Sequence, residues 1–326
     1  MDQLPPVYPD DALIMAPLSG FTDLAYRRAA RRCGCRFAFT EMVDAASLTY
    51  SNGNGEVLLK RGDDEPFLAV QLVGASEELL KCAAAKLNDR NFELLDFNLG
   101  CPVPKVVKKG AGAALGRDIA HALRCFKAIA ENSRFTLTAK LRILDEIDPS
   151  PTLELCSGLV DAGAKALTIH GRTREHFYTG TVHFDIIRQV REALPHIPVI
   201  ANGGVNSKES YDLIRRETGC SRVMLAQGIM GNPWLFRELS ANLPPPTLEE
   251  WKEVVRFHVC EMIALYGEAS AMRQARKIVH DYLKGRGFAA ALRAEASGLS
   301  TLADLDGLLA RTGIGKVSGT IRKIMI

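Results

Sequence analysis

No stretch of this 326-residue sequence approaches the roughly 20 consecutive apolar residues of a membrane-spanning helix, which excludes a helical membrane protein. The opening segment, MDQLPPVYPD, lacks the basic and apolar regions of a signal peptide, so a soluble cytoplasmic protein is expected. A disulfide framework is missing too: the eight cysteines, Cys33, Cys35, Cys82, Cys101, Cys125, Cys156, Cys220 and Cys260, are scattered and read as reduced thiols. Cys33 and Cys35 stand close together, but no second Cys or His pair follows at ligand spacing, so we read them as packing and expect no metal. Charge is nearly balanced at +3, too little by itself to call for a nucleic-acid partner, so its distribution matters more. No Gly-x-Gly-x-x-Gly turn marks a separate dinucleotide-binding domain. An apolar fraction of 47% excludes a disordered chain.

What is present is alternation. Short apolar runs of strand length recur as ALIMA (12–16), FAFT (37–40), FLAVQL (67–72), LLDFNL (94–99), TLTAKL (136–141), ALTIH (166–170), PVIAN (198–202) and RVMLA (222–226). Helical stretches separate them, such as SEELLKCAAAKLND (76–89) and SKESYDLIRRETG (207–219), each opened by a Ser that can cap a helix. Continuous apolar strands alternating with helices predict a parallel sheet covered by helices. Eight such units match a closed (β/α)8 TIM barrel better than an open doubly wound sheet. The stiff PPP at 244–246 ends the barrel, giving a catalytic domain over 1–243 and a small C-terminal α-helical bundle over 244–326. In that second part LEEWKEVVRFHVCEMIALYG, MRQARKIVHDYLKGRG, AALRAEASGLSTLADLDGLLA and the last few residues read as helices.

A barrel gathers its active site at the C-terminal ends of its strands. Polar or special residues stand there in this sequence: Pro17, Leu18 and Ser19 after the first run, Gln71 in the third, and Asn98 and Cys101 at the fourth. Lys140 and Arg142 belong to the fifth, His170 and Arg172 to the sixth, Asn202, Gly203 and Gly204 to the seventh, and Ala226 and Gln227 to the eighth. Any one has an ordinary structural explanation, but a Lys, a His, a Gln and an Asn buried around one mouth call for a polar ligand. Glycines after the seventh and eighth runs let backbone N–H groups approach a phosphate, so a phosphorylated cofactor is expected. Lys140 is placed near its ring, and Gln71 offers donor and acceptor to a heterocycle edge. Three clusters are basic: Arg27, Arg28, Arg31 and Arg32; Lys105, Lys108 and Lys109; and Arg273, Arg276, Lys277, Lys284, Arg286 and Arg293. Each by itself reads as a solvated face.

The segments MAPLSGFTD (15–23), FTEMV (39–43), AVQLVG (69–74), DFNLGCPVPKVVKKGAGAAL (96–115), AKLR (139–142), LTIHGRTR (167–174), VIANGG (199–204), GNPWLF (231–236) and ARKIVHDYLKG (275–285) occur in order along most of the chain. With them the sequence resembles the tRNA-dihydrouridine synthases, most closely the bacterial B branch. NLGCP followed by a basic, Gly-rich loop is the most specific of these marks. The resemblance implies FMN held by Pro17, Leu18, Ser19, Gln71, Lys140, His170, Asn202, Gly203, Gly204, Ala226 and Gln227. It implies Cys101 as proton donor, Asn98, Arg142 and Arg172 around the uracil, tRNA as partner and NADPH, or NADH, as transient reductant. Ala226 and Gln227 replace the family's usual Gly-Arg, which removes a permanent charge near the FMN phosphate and leaves the backbone donors. Ile278 and Asp281 stand where His and Trp are usual.

On this reading a uridine of tRNA is reduced at C5–C6, a hydride going to C6 and a proton from Cys101 to C5, with Gly110 and Gly112 flanking a lid over the ring. The lysines of that lid and the basic C-terminal cluster are then expected on the RNA backbone. A monomer is expected. The alternatives are a dihydroorotate or dihydropyrimidine dehydrogenase-like flavoenzyme acting on a free pyrimidine, and a tRNA-binding protein whose flavin site has decayed.

Overall fold

The computed structural model describes residues 7–50 and 55–312. Eight parallel strands form its centre: β1 (Leu13–Met15), β2 (Ala38–Asp44), β3 (Leu68–Val73), β4 (Leu94–Leu99), β5 (Thr136–Arg142), β6 (Leu167–His170), β7 (Val199–Asn202) and β8 (Arg222–Leu225). Each strand from β2 to β8 pairs with the next, and β8 returns to β1 with Ile14 opposite Met224. A bridge from Ile14 to Phe37, just ahead of β2, closes the circle. Closure rules out the open doubly wound sheet and establishes a (β/α)8 barrel. Every apolar run read from the sequence is a strand, with ends moved by a few residues.

The strands read as continuous apolar runs because both their faces are covered. Side chains inside the barrel, including Ile14, Phe39, Leu94, Ile200 and Met224, form one cluster. Tyr8 closes its N-terminal end, its ring edge-on to Phe37 at 5.6 Å between centroids. A larger cluster fills the space between strands and outer helices. The helices start where the capping residues stand: the Ser76 side chain accepts from Leu79 N–H, and Ser207 and Ser210 form a reciprocal box.

After the irregular 244–246 segment come helices at Leu248–Tyr266, Glu268–Leu283, Ala290–Ala296 and Leu302–Arg311. The helix expected in the last few residues lies outside the described residues. The first of these helices packs on Leu24–Arg32 of the barrel, where Arg28 pairs with Glu261 at 2.7 Å and Arg32 lies 3.6 Å from the Phe257 ring centroid. Asp23, which caps Leu24–Arg32, also accepts from the Tyr266 hydroxyl at 2.9 Å. The first basic cluster is therefore a packing element and not a solvated face. Arg27 is fully buried on Glu65 at 2.8 Å, and Arg31 reaches the same carboxylate. Among the described residues no helix is long and apolar enough to cross a membrane.

Candidate active site

At the C-terminal ends of the strands lies a cavity of about 740 Å³. Every expected site residue except Gln71 lines it: Pro17, Leu18 and Ser19 from β1, Asn98 and Cys101 from β4, Lys140 and Arg142 from β5, His170 and Arg172 from β6, Asn202, Gly203 and Gly204 from β7, Ala226 and Gln227 from β8. Lys105 and Lys109 sit at its edge, and Lys109 pairs with Asp44 at 2.9 Å.

Gln71 stands behind the wall. Its Nε2 donates to Asp96 Oδ2 at 2.8 Å and its Oε1 accepts from Asn98 Nδ2 at 2.7 Å. Thr138 donates to the other oxygen of Asp96 at 2.5 Å. The Asn98 oxygen in turn accepts from the N–H groups of Gly100 at 3.1 Å and Cys101 at 2.9 Å. A buried chain of polar contacts thus runs from Thr138 through Asp96, Gln71 and Asn98 to the turn that carries Cys101. The sequence places Asn98 and Gln71 on a ligand; the structure engages both amides in holding this turn. Burial lifts the Asp96 carboxyl to about 6, against the bonds from Thr138 and Gln71. Burial also raises the Cys101 thiol above its ordinary range, despite Lys140 and Arg142 nearby, so it remains protonated at neutral pH.

The adjoining wall, from β5 on, is basic. Lys140 donates to Asn202 Oδ1 at 3.0 Å, and burial followed by the neighbouring Arg142 brings its ammonium down to about 8. Arg142 is held by Gly100 O at 2.9 Å and Thr173 O at 3.0 Å, with its guanidinium 5.4 Å from the Tyr178 ring centroid. Burial and three cations, Lys140, Arg142 and Arg172, depress His170 to about 2. His170 is neutral at any physiological pH. Since Arg172 Nη1, which can only donate, lies 3.4 Å from Nε2, that nitrogen is the acceptor and Nδ1 carries the proton.

Gly203 is buried with a φ of 128°, and a Cβ there would stand 3.0 Å from the His170 ring, so only glycine lets the chain pass this close. The N–H groups of Gly203 and Gly204 have no partner among the described residues. Unpaired backbone donors at the end of β7 suit a phosphate, and the cation-lined floor beside them suits an electron-rich ring. The residues present fit a phosphorylated flavin.

Residues 14–312 match the family model described as Dihydrouridine synthase (Dus), a span that runs from within β1 through the other seven strands and the helices that follow them. The chain belongs to this family. Similar relatives include tRNA-dihydrouridine synthase B of Pseudomonas putida, 33% identical over 281 residues, which cover 84% of this chain and 83% of the relative. The protein named tRNA-dihydrouridine synthase B in Shewanella oneidensis is 31% identical over 287 residues, 86% and 89% of the two chains. A protein of Rhizobium leguminosarum bv. phaseoli named probable tRNA-dihydrouridine synthase is 34% identical over 293 residues, 90% and 91%. The two relatives named synthase B support the bacterial B branch.

In this dihydrouridine synthase family member some residues of the site are not evident from sequence. Met42 reaches the cavity because the β2–β3 register shifts between Phe39 and Met42, which re-aims the side chain. Tyr178 comes from an irregular stretch that carries no periodic signal. Asp96 and Thr138 look like ordinary strand residues until β4 and β5 are aligned, with Asp96 opposite Thr138. Cys33 and Cys35 are buried, and no group of three or more His, Cys, Asp or Glu side chains suited to a metal occurs among the described residues. The basic C-terminal cluster shrinks: Arg286 is buried on Asn232 at 2.7 Å, Arg276 donates to Leu299 O and Arg293 to Phe288 O. Arg273, Lys277 and Lys284 stay exposed.

Proposed function

We propose that this protein reduces a uridine of tRNA to 5,6-dihydrouridine, with FMN seated in the barrel mouth and NADPH, or NADH, as its transient reductant. One observation carries the reading: the Cys101 thiol and the unpaired N–H groups of Gly203 and Gly204 open on a single cavity, in a chain whose relatives are named tRNA-dihydrouridine synthases.

The N–H groups of Gly203 and Gly204, with Ala226 and Gln227 lining the same cavity, would hold the phosphate of the cofactor. Lys140, neutral His170, Pro17, Leu18 and Ser19, which line the same cavity, would hold its ring. Reduced FMN, when bound, supplies the hydride that adds to C6 of the uracil. Arg142 and Arg172 hold the uracil oxygens, where negative charge develops as C6 is reduced. Cys101 then transfers its Sγ proton to C5, and the thiolate regains a proton from solvent. Asn98, Gln71, Asp96 and Thr138 fix the turn from which the thiol acts. The target uridine must leave the stack of the folded RNA to reach this depth, at an unstacking cost of a few kcal/mol that contacts elsewhere on the RNA offset.

Single-turnover reduction of tRNA lacking dihydrouridine, using FMN-loaded and NADPH-reduced protein, tests this. Wild type should form dihydrouridine at a mappable position, and Cys101→Ala should be slower by about 10²–10⁴-fold, the worth of a positioned acid. Bound, reducible flavin with no product from tRNA, together with turnover of a free pyrimidine, would overturn the assignment.

A further inference from the structure

A second cavity, of about 250 Å³, opens between the barrel mouth and the helix Glu268–Leu283. Phe21 lines both cavities, so a ligand in one adjoins a ligand in the other. Its walls combine carbon surface from Phe21, Met262 and Ile278 with Glu41 and His258, and Arg273 and Lys277 stand on its helical side.

Three features of these residues point to an absent partner. Glu41 accepts from Gly20 N–H at 2.6 Å through Oε2, and no described donor bonds its other oxygen. His258 is wholly buried; its Nδ1 lies 3.2 Å from the Tyr282 hydroxyl, and its Nε2 has no partner among the described residues. An unpaired buried polar atom is unfavourable, and the residue that carries this one lines the cavity. Finally, Arg273 and Lys277, one helical turn apart, are exposed and have no ion-pair partner among the described residues, whereas Arg27, Arg276, Arg286 and Arg293 are engaged within the fold.

We propose that this second cavity binds a nucleotide of the RNA that flanks the target uridine, its base between Phe21 and Ile278 with a donor edge on Glu41, and its phosphate on Arg273 and Lys277. The inference rests on the tRNA-reducing function proposed above and adds a place where sequence around the target is read. Apolar walls take the face of an unstacked base, a carboxylate accepts from an amino or ring N–H, and a cation pair one turn apart suits the backbone charge. A target nucleotide drawn into the larger cavity brings its chain neighbours to the shared Phe21 wall. The carboxylate can accept from the amino group of cytosine, adenine or guanine, or from the ring N–H of guanine or uracil.

The test pairs two protein variants with RNA abasic at single positions beside the target. Gln274→Trp fills the cavity from an exposed position, and the double variant Arg273→Gln/Lys277→Gln removes the cations. Dissociation constants for tRNA, and kcat and KM for dihydrouridine formation, are measured with the flavin spectrum as a check on the barrel. Both variants should raise Kd and KM about tenfold with kcat kept, the size of one lost base or phosphate contact. One flanking abasic site should raise KM of wild type by a similar factor and add little in Gln274→Trp. If every abasic position weakens Gln274→Trp as much as wild type, or if both variants bind tRNA as wild type does, the second site is overturned while the reaction stands. Wild type that forms no dihydrouridine overturns both.

Discussion

At the scale of single residues, Cys101 and the amide that holds its turn define the chemistry. An acid must keep its proton until the step that uses it, and burial raises this thiol above its ordinary range. The limb of the single-turnover pH profile that depends on Cys101 should therefore fall only above the pKa of an ordinary thiol. The fall should be absent from the residual rate of Cys101→Ala. No limb near 6.5 should come from His170, which is neutral throughout. Asn98 acts through the Cys101 turn: with its side chain gone, two backbone N–H groups and Gln71 Oε1 lose their partner. Asn98→Ala should lower kcat by about 10²-fold, the effect of misplacing a reacting group by an ångström, while FMN and tRNA still bind. Equal losses in kcat and in FMN affinity would instead place Asn98 on the cofactor.

At the scale of elements, the join between barrel and helical region depends on Gly231. It has a φ of 60°, and a Cβ there would lie 2.3 Å from the backbone carbonyl of Asp281 in the helix Glu268–Leu283. Backbone meets backbone, so no flexible side chain can move aside. Gly231→Ala should destabilise the protein by about 3 kcal/mol, toward the upper end for single substitutions, as measured by urea unfolding. An unchanged midpoint would mean that the two segments are not packed this closely. The same contact brings GNPWLF against ARKIVHDYLKG, and just past the second segment Arg286 reaches back to Asn232, its guanidinium 5.1 Å from the Trp234 ring centroid.

At the scale of the whole molecule, the helix Leu248–Tyr266 brings a buried histidine to the barrel surface. Burial depresses His258 from 6.5 to about 4. Between those values the unfolded chain binds the proton and the folded chain does not, so stability is present above about pH 6.5 and is lost as pH falls toward 4. His170 acts in the same direction. Melting of wild type and His258→Gln across this range should show a wild-type advantage above pH 6.5 that narrows or reverses near pH 4; a constant difference would contradict the linkage. Binding of tRNA should weaken as salt rises, with a slope set by the few cations left exposed rather than by every residue of the basic clusters.

The sequence by itself determined the barrel, because apolar runs buried on both faces and capped helices are local patterns that report burial directly. It also determined the side of the barrel where function lies, since special residues recur where β1 and β4 to β8 end. Tertiary structure decided which polar groups are available. Arg27 pairs with Glu65, Asn98 and Gln71 bond each other, and Arg286 reaches Asn232. These partners lie far apart in the chain, and no local periodicity encodes which donor meets which acceptor. For the same reason the second cavity, built from the turn after β1, the middle of β2 and two helices beyond the barrel, exists only once those elements are packed together.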